Sequence, residues 1–271
     1  MKKIFIILYI LFSFSWSIGL QGLVIPENGL ILSTAGTGIA SDIDPRLNPA
    51  MSPTTQSYIQ YSINNWLGDI KGGNTLFRWG GELSKQISIQ TWSAENIELW
   101  GDFPNDRPLG TFSVHLATAA LSMSHHFNTP YRFGIQIQSN YSQLFTESIS
   151  GIAVSAGAIF PFSSSFKLGG VIRNVGYEFN NGIRAKIPIE AGFGISYKIP
   201  YINTIFLMDQ LYNSINGEEA HLALRTDWKW INFNTGLSKS DNRYANSIGF
   251  SMEIHRFAVN CGIYFHENSA V

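Results

Sequence analysis

Taken two residues at a time, the chain separates into apolar and polar rows. The clearest case runs from Ile187 to Ile199, where Ile187, Ile189, Ala191, Phe193, Ile195, Tyr197 and Ile199 alternate with Pro188, Glu190, Gly192, Gly194, Ser196 and Lys198. Successive side chains of a strand point to opposite faces, so this spacing predicts a strand with one apolar face and one polar or small face. A helix would scatter both sets around its circumference. A run of about a dozen residues, at roughly 3.3 Å each, exceeds the five or six of a soluble strand and reaches across a tilted membrane span. The pattern predicts the repeating unit of an antiparallel transmembrane β-barrel, with the apolar face toward lipid.

The same two-residue rhythm begins at Ser57 with Ile59, Tyr61 and Ile63, and returns from Thr75 to Leu83 and, after a turn at Ser84 and Lys85, from Ile87 to Thr91. From Phe112 to Phe127 the phase changes midway, which predicts a bulge around Thr118 to Ala120. Tyr131 to Asn140, Ile152 to Phe160 and Phe166 to Ile172 follow, then the Ile187 strand. Ile202 to Leu211, Leu222 to Trp230, Ile231 to Leu237, Ile248 to Ile254 and Phe257 to Phe265 complete the series. The turn signals are Asn180-Asn181-Gly182, Asn213 to Gly217 and Asp241-Asn242; Gly101 to Pro108 reads as a long loop. That makes about thirteen strands. Bacterial barrels have an even number, so fourteen are expected, with one more between Asn64 and Gly110.

Composition supports an unusual environment for these strands. Of 271 residues, 45% are hydrophobic and only 14% charged, against about 25% charged in a soluble domain. Aromatic residues reach 14% and glycines number 25, a mixture suited to lipid-facing girdles and crowded interiors. A net charge of −1 leaves no electrostatic footprint for nucleic acid. Lys2 and Lys3, the apolar run Ile4 to Phe14, and Ser15, Ser17 and Gly19 form a signal peptide with cleavage near residue 19. No later run of 18 uninterrupted apolar residues predicts a spanning helix. The expected location is the bacterial outer membrane, and the expected division is 1–19 signal, 20–53 N-terminal segment and 54–271 barrel.

Candidate chemistry is sparse. There is no Gly-x-Ser-x-Gly elbow and no His-Glu-x-x-His helix. His125 and His126, adjacent on a strand, are expected on opposite faces and so cannot share a metal. Two glycines in Thr34 to Ala40 do not make a phosphate loop. Cys261 is the only cysteine, which excludes an internal disulfide and reads as a small apolar strand residue. No catalytic, cofactor-binding or metal-binding set is assigned, and the protein is expected not to be an enzyme. Arg132, Arg173, Glu190, Lys198, Arg225, Asp227, Lys229 and Glu253 fall on faces expected to point into the lumen, where charges must pair, hydrogen-bond or meet water. They serve either an ion-paired interior or a polar conduit. Trp66, Trp79, Trp92, Trp100, Trp228 and Trp230 fit interface anchors at headgroup level, or the lining of a hydrophobic ligand site.

The N-terminal segment carries a Gly-containing stretch from Gly36 to Ala40, Asp42 and Asp44, then Asn48-Pro49-Ala50, followed at once by a strand. With Tyr61 to Ile70 (Trp66, Asp69), Gly110-Thr111-Phe112-Ser113, Arg173-Asn174-Val175-Gly176 and Lys186-Ile187-Pro188, these residues make the chain resemble the PorV/PorQ family of outer-membrane proteins, relatives of the FadL fatty-acid transporters. The resemblance spans almost the whole mature chain. It implies a fourteen-stranded barrel whose N-terminal segment folds into or against the lumen as a plug or hatch, with Gly36, Gly38, Asp42, Asp44, Asn48, Pro49 and Ala50 as its motif. It implies an accessory of protein export and surface assembly of type IX secretion kind, with outer-membrane lipid, secreted cargo or other secretion components as partners. The FadL side of the family implies instead passive uptake of a hydrophobic small molecule such as a long-chain fatty acid. The chain is short, which leaves little room for a large extracellular lid. Pro49 is expected at a tight bend against the barrel wall, with Asn48 extended.

Overall fold

The computed structural model describes residues 28–52, 54, 56–66, 70–100, 107–127, 129–180, 183–214, 217–241, 243–254 and 257–267. The expected signal peptide, Leu20 to Glu27, Pro53 and most of the Gly101 to Pro108 loop lie outside the described residues. A one-turn helix, α1 (Gly29–Ser33), precedes the strands β1 (Tyr58–Trp66), β2 (Ile70–Trp79), β3 (Ser84–Leu99), β4 (Gly110–His125), β5 (Arg132–Leu144), β6 (Glu147–Pro161) and β7 (Phe166–Asn180). After them come β8 (Ile183–Lys186), β9 (Glu190–Ile199), β10 (Thr204–Asn213), β11 (Gly217–Trp228), β12 (Ile231–Ser240), β13 (Arg243–Ile254) and β14 (Phe257–Glu267). Among the described residues the protein is all-β: one antiparallel sheet of fourteen strands in sequence order, with β8 pairing β7 beside the main path.

Alternation governs every long strand, but the buried row is the polar one. On β5, Ile135 and Ile137 are each 47% exposed while Gln136 between them is 4% exposed. On β3, Ser84, Gln86, Ser88 and Gln90 are buried and Ile87 and Ile89 face out. A soluble domain does the reverse. The polar face is covered by residues 28–52, which touch strands from β2 to β14.

Close approach at that face is made possible by glycines that pair across neighbouring strands. Gly134 lies opposite Gly157, Gly169 opposite Gly194, and Gly249 opposite Gly262. Each pair leaves a trough without side chains. The first takes Asn48 to Ala50, the second Ile39 and Ala40, and the third α1. A Cβ added at any of the six would overlap an atom of the segment or of the strands that seat it.

Thirteen of the fourteen strands coincide with the alternating runs read from sequence. The remaining one does not lie between Asn64 and Gly110: among the described residues only β2 and β3 stand there. It is β8, Ile183–Lys186, just upstream of the expected Ile187 to Ile199 strand, which itself begins only at Glu190 as β9. Pro188 has no N–H to offer a ladder, so the chain leaves the sheet at Ile187–Ile189, and β8 and β9 both add to one edge of β7. Ile187, expected to face outward, is 1% exposed and packs with Ala153 and Leu116. The expected bulge at Thr118 to Ala120 is also corrected: β4 pairs β5 without interruption from Val114 to His125. The irregularity is in β3, between Ala94 and Ile97, where Asn96 has φ +58°. Trp92, 4% exposed, lies over Gly72 and is not at the surface, whereas Trp100, Trp228 and Trp230 are exposed.

Gly134→Val should displace Asn48 to Ala50, because its branched side chain would occupy the position of the Pro49 carbonyl. The expected outcome is faster proteolysis within residues 28–52 at unchanged strand content, read by limited proteolysis alongside circular dichroism.

Candidate functional site

The site is the seat of residues 28–52 on the polar face. Its first anchor is α1, whose N-terminus is capped by Asn28: the side-chain oxygen accepts from the N–H groups of Leu30 (3.1 Å) and Ile31 (2.9 Å). The helix stops after one turn because Ala35 and Gly36 adopt φ of +50° and +76°, and the Gly36 N–H donates back to the Ile31 carbonyl. That turn aims the next amides at β10, where Asp209, 1% exposed, accepts from Gly38 N–H (2.6 Å) and Ile39 N–H (3.0 Å). On β11, His221 Nδ1 lies 2.8 Å from the Ala35 carbonyl and Nε2 lies 3.2 Å from Glu219.

Asn48, fully buried, is the second anchor. Its amide nitrogen lies 2.7, 3.2 and 3.3 Å from the carbonyl oxygens of Ile39, Ala158 and Gly170, and its side-chain oxygen accepts from Ala50 N–H at 3.0 Å. One side chain thus joins the segment to itself, to β6 and to β7. Pro49 then turns the chain tightly, with Met51 N–H donating to its carbonyl at 2.9 Å.

Charges form the third anchor. Asp42 accepts from Ser52 N–H (2.8 Å), from Arg132 of β5 and from Lys167 of β7 (3.3 Å). Burial pushes its carboxyl up, but Arg132, Lys167 and the Ser52 N–H outweigh this and hold it below the ordinary 3.8. Asp44 and Arg46 form a two-pronged pair at 2.8 Å on both prongs, and the Asn28 amide donates to Asp44 at 2.9 Å. Burial pushes Asp44 up to about 6, against the Arg46 N–H and Asn28 hydrogen bonds that lower it, and pushes Arg46 down to about 9. Arg173 donates to the Arg46 carbonyl (3.1 Å) and pairs with Glu190 at 2.9 Å, while Asn213 donates to Glu190 at 2.7 Å. Arg78 donates to the Ser52 carbonyl and to Ser84.

All seven motif residues, Gly36, Gly38, Asp42, Asp44, Asn48, Pro49 and Ala50, therefore lie at this seat. Of the eight charges expected inside, Arg132, Arg173 and Glu190 join it. Arg225 and Asp227 pair with each other at 3.6 Å on the polar face further along. Lys198 is on that face but exposed. Lys229 is a correction: β11 ends at Trp228, so the alternation no longer applies and Lys229 sits exposed in the turn, 5.7 Å above the Trp228 ring. The Glu253 side chain lies outside the described residues. Sequence reading missed Asn28, Arg78, Asp209 and His221. A lone carboxylate in the apolar run Phe206 to Leu211 is the signal that could have found Asp209.

Between the segment and the sheet lies a cavity of about 140 Å³, lined by Gln90, Gln136, Gln138, Arg173, Glu190 and His221 among others. Its wall also includes the apolar Ile31, Leu47, Ala120 and Leu211. The rings of His125 and His126 stack at 5.4 Å rather than facing apart, because β4 ends at His125. Among the described residues, no group of three or more His, Cys, Asp or Glu side chains is placed to hold a metal ion. The chain matches no protein-family model, and no curated protein matches it.

Asn48→Leu keeps the volume but takes from the buried Ile39 carbonyl and Ala50 N–H their Asn48 partner; with buried unmet groups costing about 1–3 kcal/mol each, hydrogen exchange at Ile39 to Met51 should accelerate markedly. Because the Asp42 value is lowered on folding, its contribution to docking is present above 3.8 and is lost as pH falls through the lowered value. Protease access to residues 28–52 should rise at the acid end of a pH 7 to 3 titration, and Asp42→Asn should raise it at neutral pH and flatten that rise.

Proposed function

We propose that the sheet closes into a transmembrane β-barrel of the bacterial outer membrane, with residues 28–52 as its plug, and that the protein is a non-enzymatic accessory of protein export or surface assembly of the PorV/PorQ kind. The observation that carries the membrane reading is the inverted burial of the strands. Rows such as Phe133, Ile135 and Ile137, or Ile59, Tyr61 and Ile63, are exposed, and in water that much contiguous apolar surface would drive aggregation. In lipid it is the favoured arrangement. Most strands run from 9 to 16 residues, long enough for a tilted span, and a segment of 25 residues that touches β2 through β14 fits a sheet curved around it.

Within that frame, a polypeptide partner has more support than a hydrophobic solute. The cavity beneath the plug is about 140 Å³ and mixes Ile31, Leu47 and Leu211 with glutamines and charged side chains, a small and interrupted path for an acyl chain. The plug is seated by directional hydrogen bonds, to strand side chains such as Asp209 and Ser247 and, through Asn48, to strand carbonyls, beside an apolar cluster of Ile39, Val171 and Leu211. Deleting the gene in its native host should deplete surface-exposed exported proteins and leave long-chain fatty-acid uptake unchanged. Unimpaired surface proteins with lost uptake would favour the FadL-like alternative. The barrel reading is checked separately: the protein should fractionate with the outer membrane and migrate faster on a denaturing gel when unheated.

A further inference from the structure

We propose that the gap between β1 and β14 receives one extended segment of another polypeptide, added as a strand antiparallel to both edges; this rests on the barrel reading above. Every step along the sheet is antiparallel, and β8 and β9 share one edge of β7, so the path from β1 to β14 has thirteen positions. The first and last strands therefore run in the same direction. Their ends agree: Trp66 closes β1, and its ring centroid lies 5.5 Å from that of Tyr264 near the end of β14. Yet among the described residues no ladder joins the two strands. A cavity of about 720 Å³ lies there, lined by β1 along its whole length and by Ala258 to Cys261 of β14, with Leu30 and Leu32 of α1 also in its wall.

Two parallel edges facing one another are the arrangement that a single antiparallel strand completes, bringing the ring to fourteen antiparallel positions. In hydrocarbon an open edge is costly because no water meets its N–H and C=O groups. Side chains at the gap specify the guest. Gln60, Ser62 and Asn260 are half-buried on the inner side, while Ile59, Ile63 and Val259 are exposed on the outer side. The guest is thus about nine residues long, matching β1, with small or polar residues inward, apolar residues outward, and no internal proline. Upstream of Asn28, Gly22-Leu23-Val24-Ile25-Pro26 lacks that alternation, and its proline cannot donate to a ladder.

Cys261, the sole cysteine and exposed on β14, reports on the gap. The probe is a synthetic peptide copying Tyr244 to Met252 of β13, the natural antiparallel neighbour of β14, with one cysteine at each position in turn, activated as a thiopyridyl disulfide. The Cys261 thiolate attacks the peptide sulfur and thiopyridone leaves, so oxidation states balance. The full mature chain in detergent micelles should be labelled about tenfold faster by peptides with cysteine at alternate, outward positions than at the intervening ones. Rates equal at all positions, or no faster than a scrambled peptide, overturn the proposal. So does labelling that appears only after removal of residues 20–27, which would make the chain its own guest. Aligned on Trp66 and Tyr264, Ile63 falls opposite Cys261. In Ile63→Cys treated with diamide, which oxidises the two thiols to a disulfide and is itself reduced to the hydrazine, complete cross-linking that added cysteine-free peptide fails to prevent would mean that the edges pair directly, again overturning it. A heat-dependent gel shift with no periodic labelling sinks strand docking alone; loss of the gel shift sinks the barrel reading.

Discussion

Backbone against backbone is the contact on which the rest of the structure depends. Residues 28–52 reach the strands because side chains are missing at three cross-strand glycine pairs, Gly134/Gly157, Gly169/Gly194 and Gly249/Gly262. Each glycine weakens its own strand by roughly 0.5–1 kcal/mol relative to alanine, so six of them give up about 3–6 kcal/mol of local strand preference. What offsets this is a set of buried hydrogen bonds that no longer-range contact could make: Asn48 to the carbonyls of Ala158 and Gly170, Asp209 to two consecutive amides, and Ser247 to the Ser33 carbonyl. Hydrogen bonds to a charged group contribute about 1.5–3 kcal/mol each and neutral ones about 1. The two sides of this comparison are of similar size, so seating the segment is close to balanced before apolar burial at Ile39, Ala40 and Ala50 is added.

Ion pairs act on that near-balance as register pins. Arg132 holds Asp42, Arg46 holds Asp44, and Arg173 holds both Glu190 and the Arg46 carbonyl. A buried pair adds little net stability, because desolvation cancels most of the attraction, but removing one partner strands the other at a cost of 3–5 kcal/mol by typical measurement. The consequence is selectivity of position: a segment shifted by one residue would lose the Asp42–Arg132 pair and the Arg173 bond to the Arg46 carbonyl, whereas Asp44–Arg46, within the segment, and Arg173–Glu190, between strands, would persist. Glycine troughs permit the approach and the charges decide where it stops.

Sequence reveals the strands well because their signal is local. A period of two over nine or more residues is visible in any stretch, and thirteen alternating runs correspond to observed strands. What escaped is non-local or terminal. Glycine pairing depends on register, so Gly169 and Gly194 become one trough only once β7 and β9 are aligned. Asp209 finds its partners 170 and 171 residues away, beyond any pattern along the chain. Pro188 broke a run whose apolar alternation continued across it, since hydropathy does not register a missing N–H. Lys229 shows the same weakness at a strand end, where alternation was extended one residue past the last ladder bond.

Parity joins the sheet to the segment. Because α1 rests on β14, with Gly29 close to the Asn260 carbonyl and Gly262 close to the Gly29 carbonyl, the last strand is held from the inside by this helix. The first strand lacks that inner brace: among the described residues β1 has a ladder only with β2, and Ile59 and Ile63 are more than 70% exposed. The two sides of the gap therefore differ in stiffness, β14 braced and β1 held on one edge only. A strand added there would meet a fixed template on one side and a compliant one on the other, so the side that adjusts is β1. Movement of β1 would be felt at Arg78 of β2, which lies opposite Tyr58 and donates to the Ser52 carbonyl at the end of the segment. The ladder thus supplies a continuous physical connection from the gap to the far end of residues 28–52, through hydrogen bonds already in place.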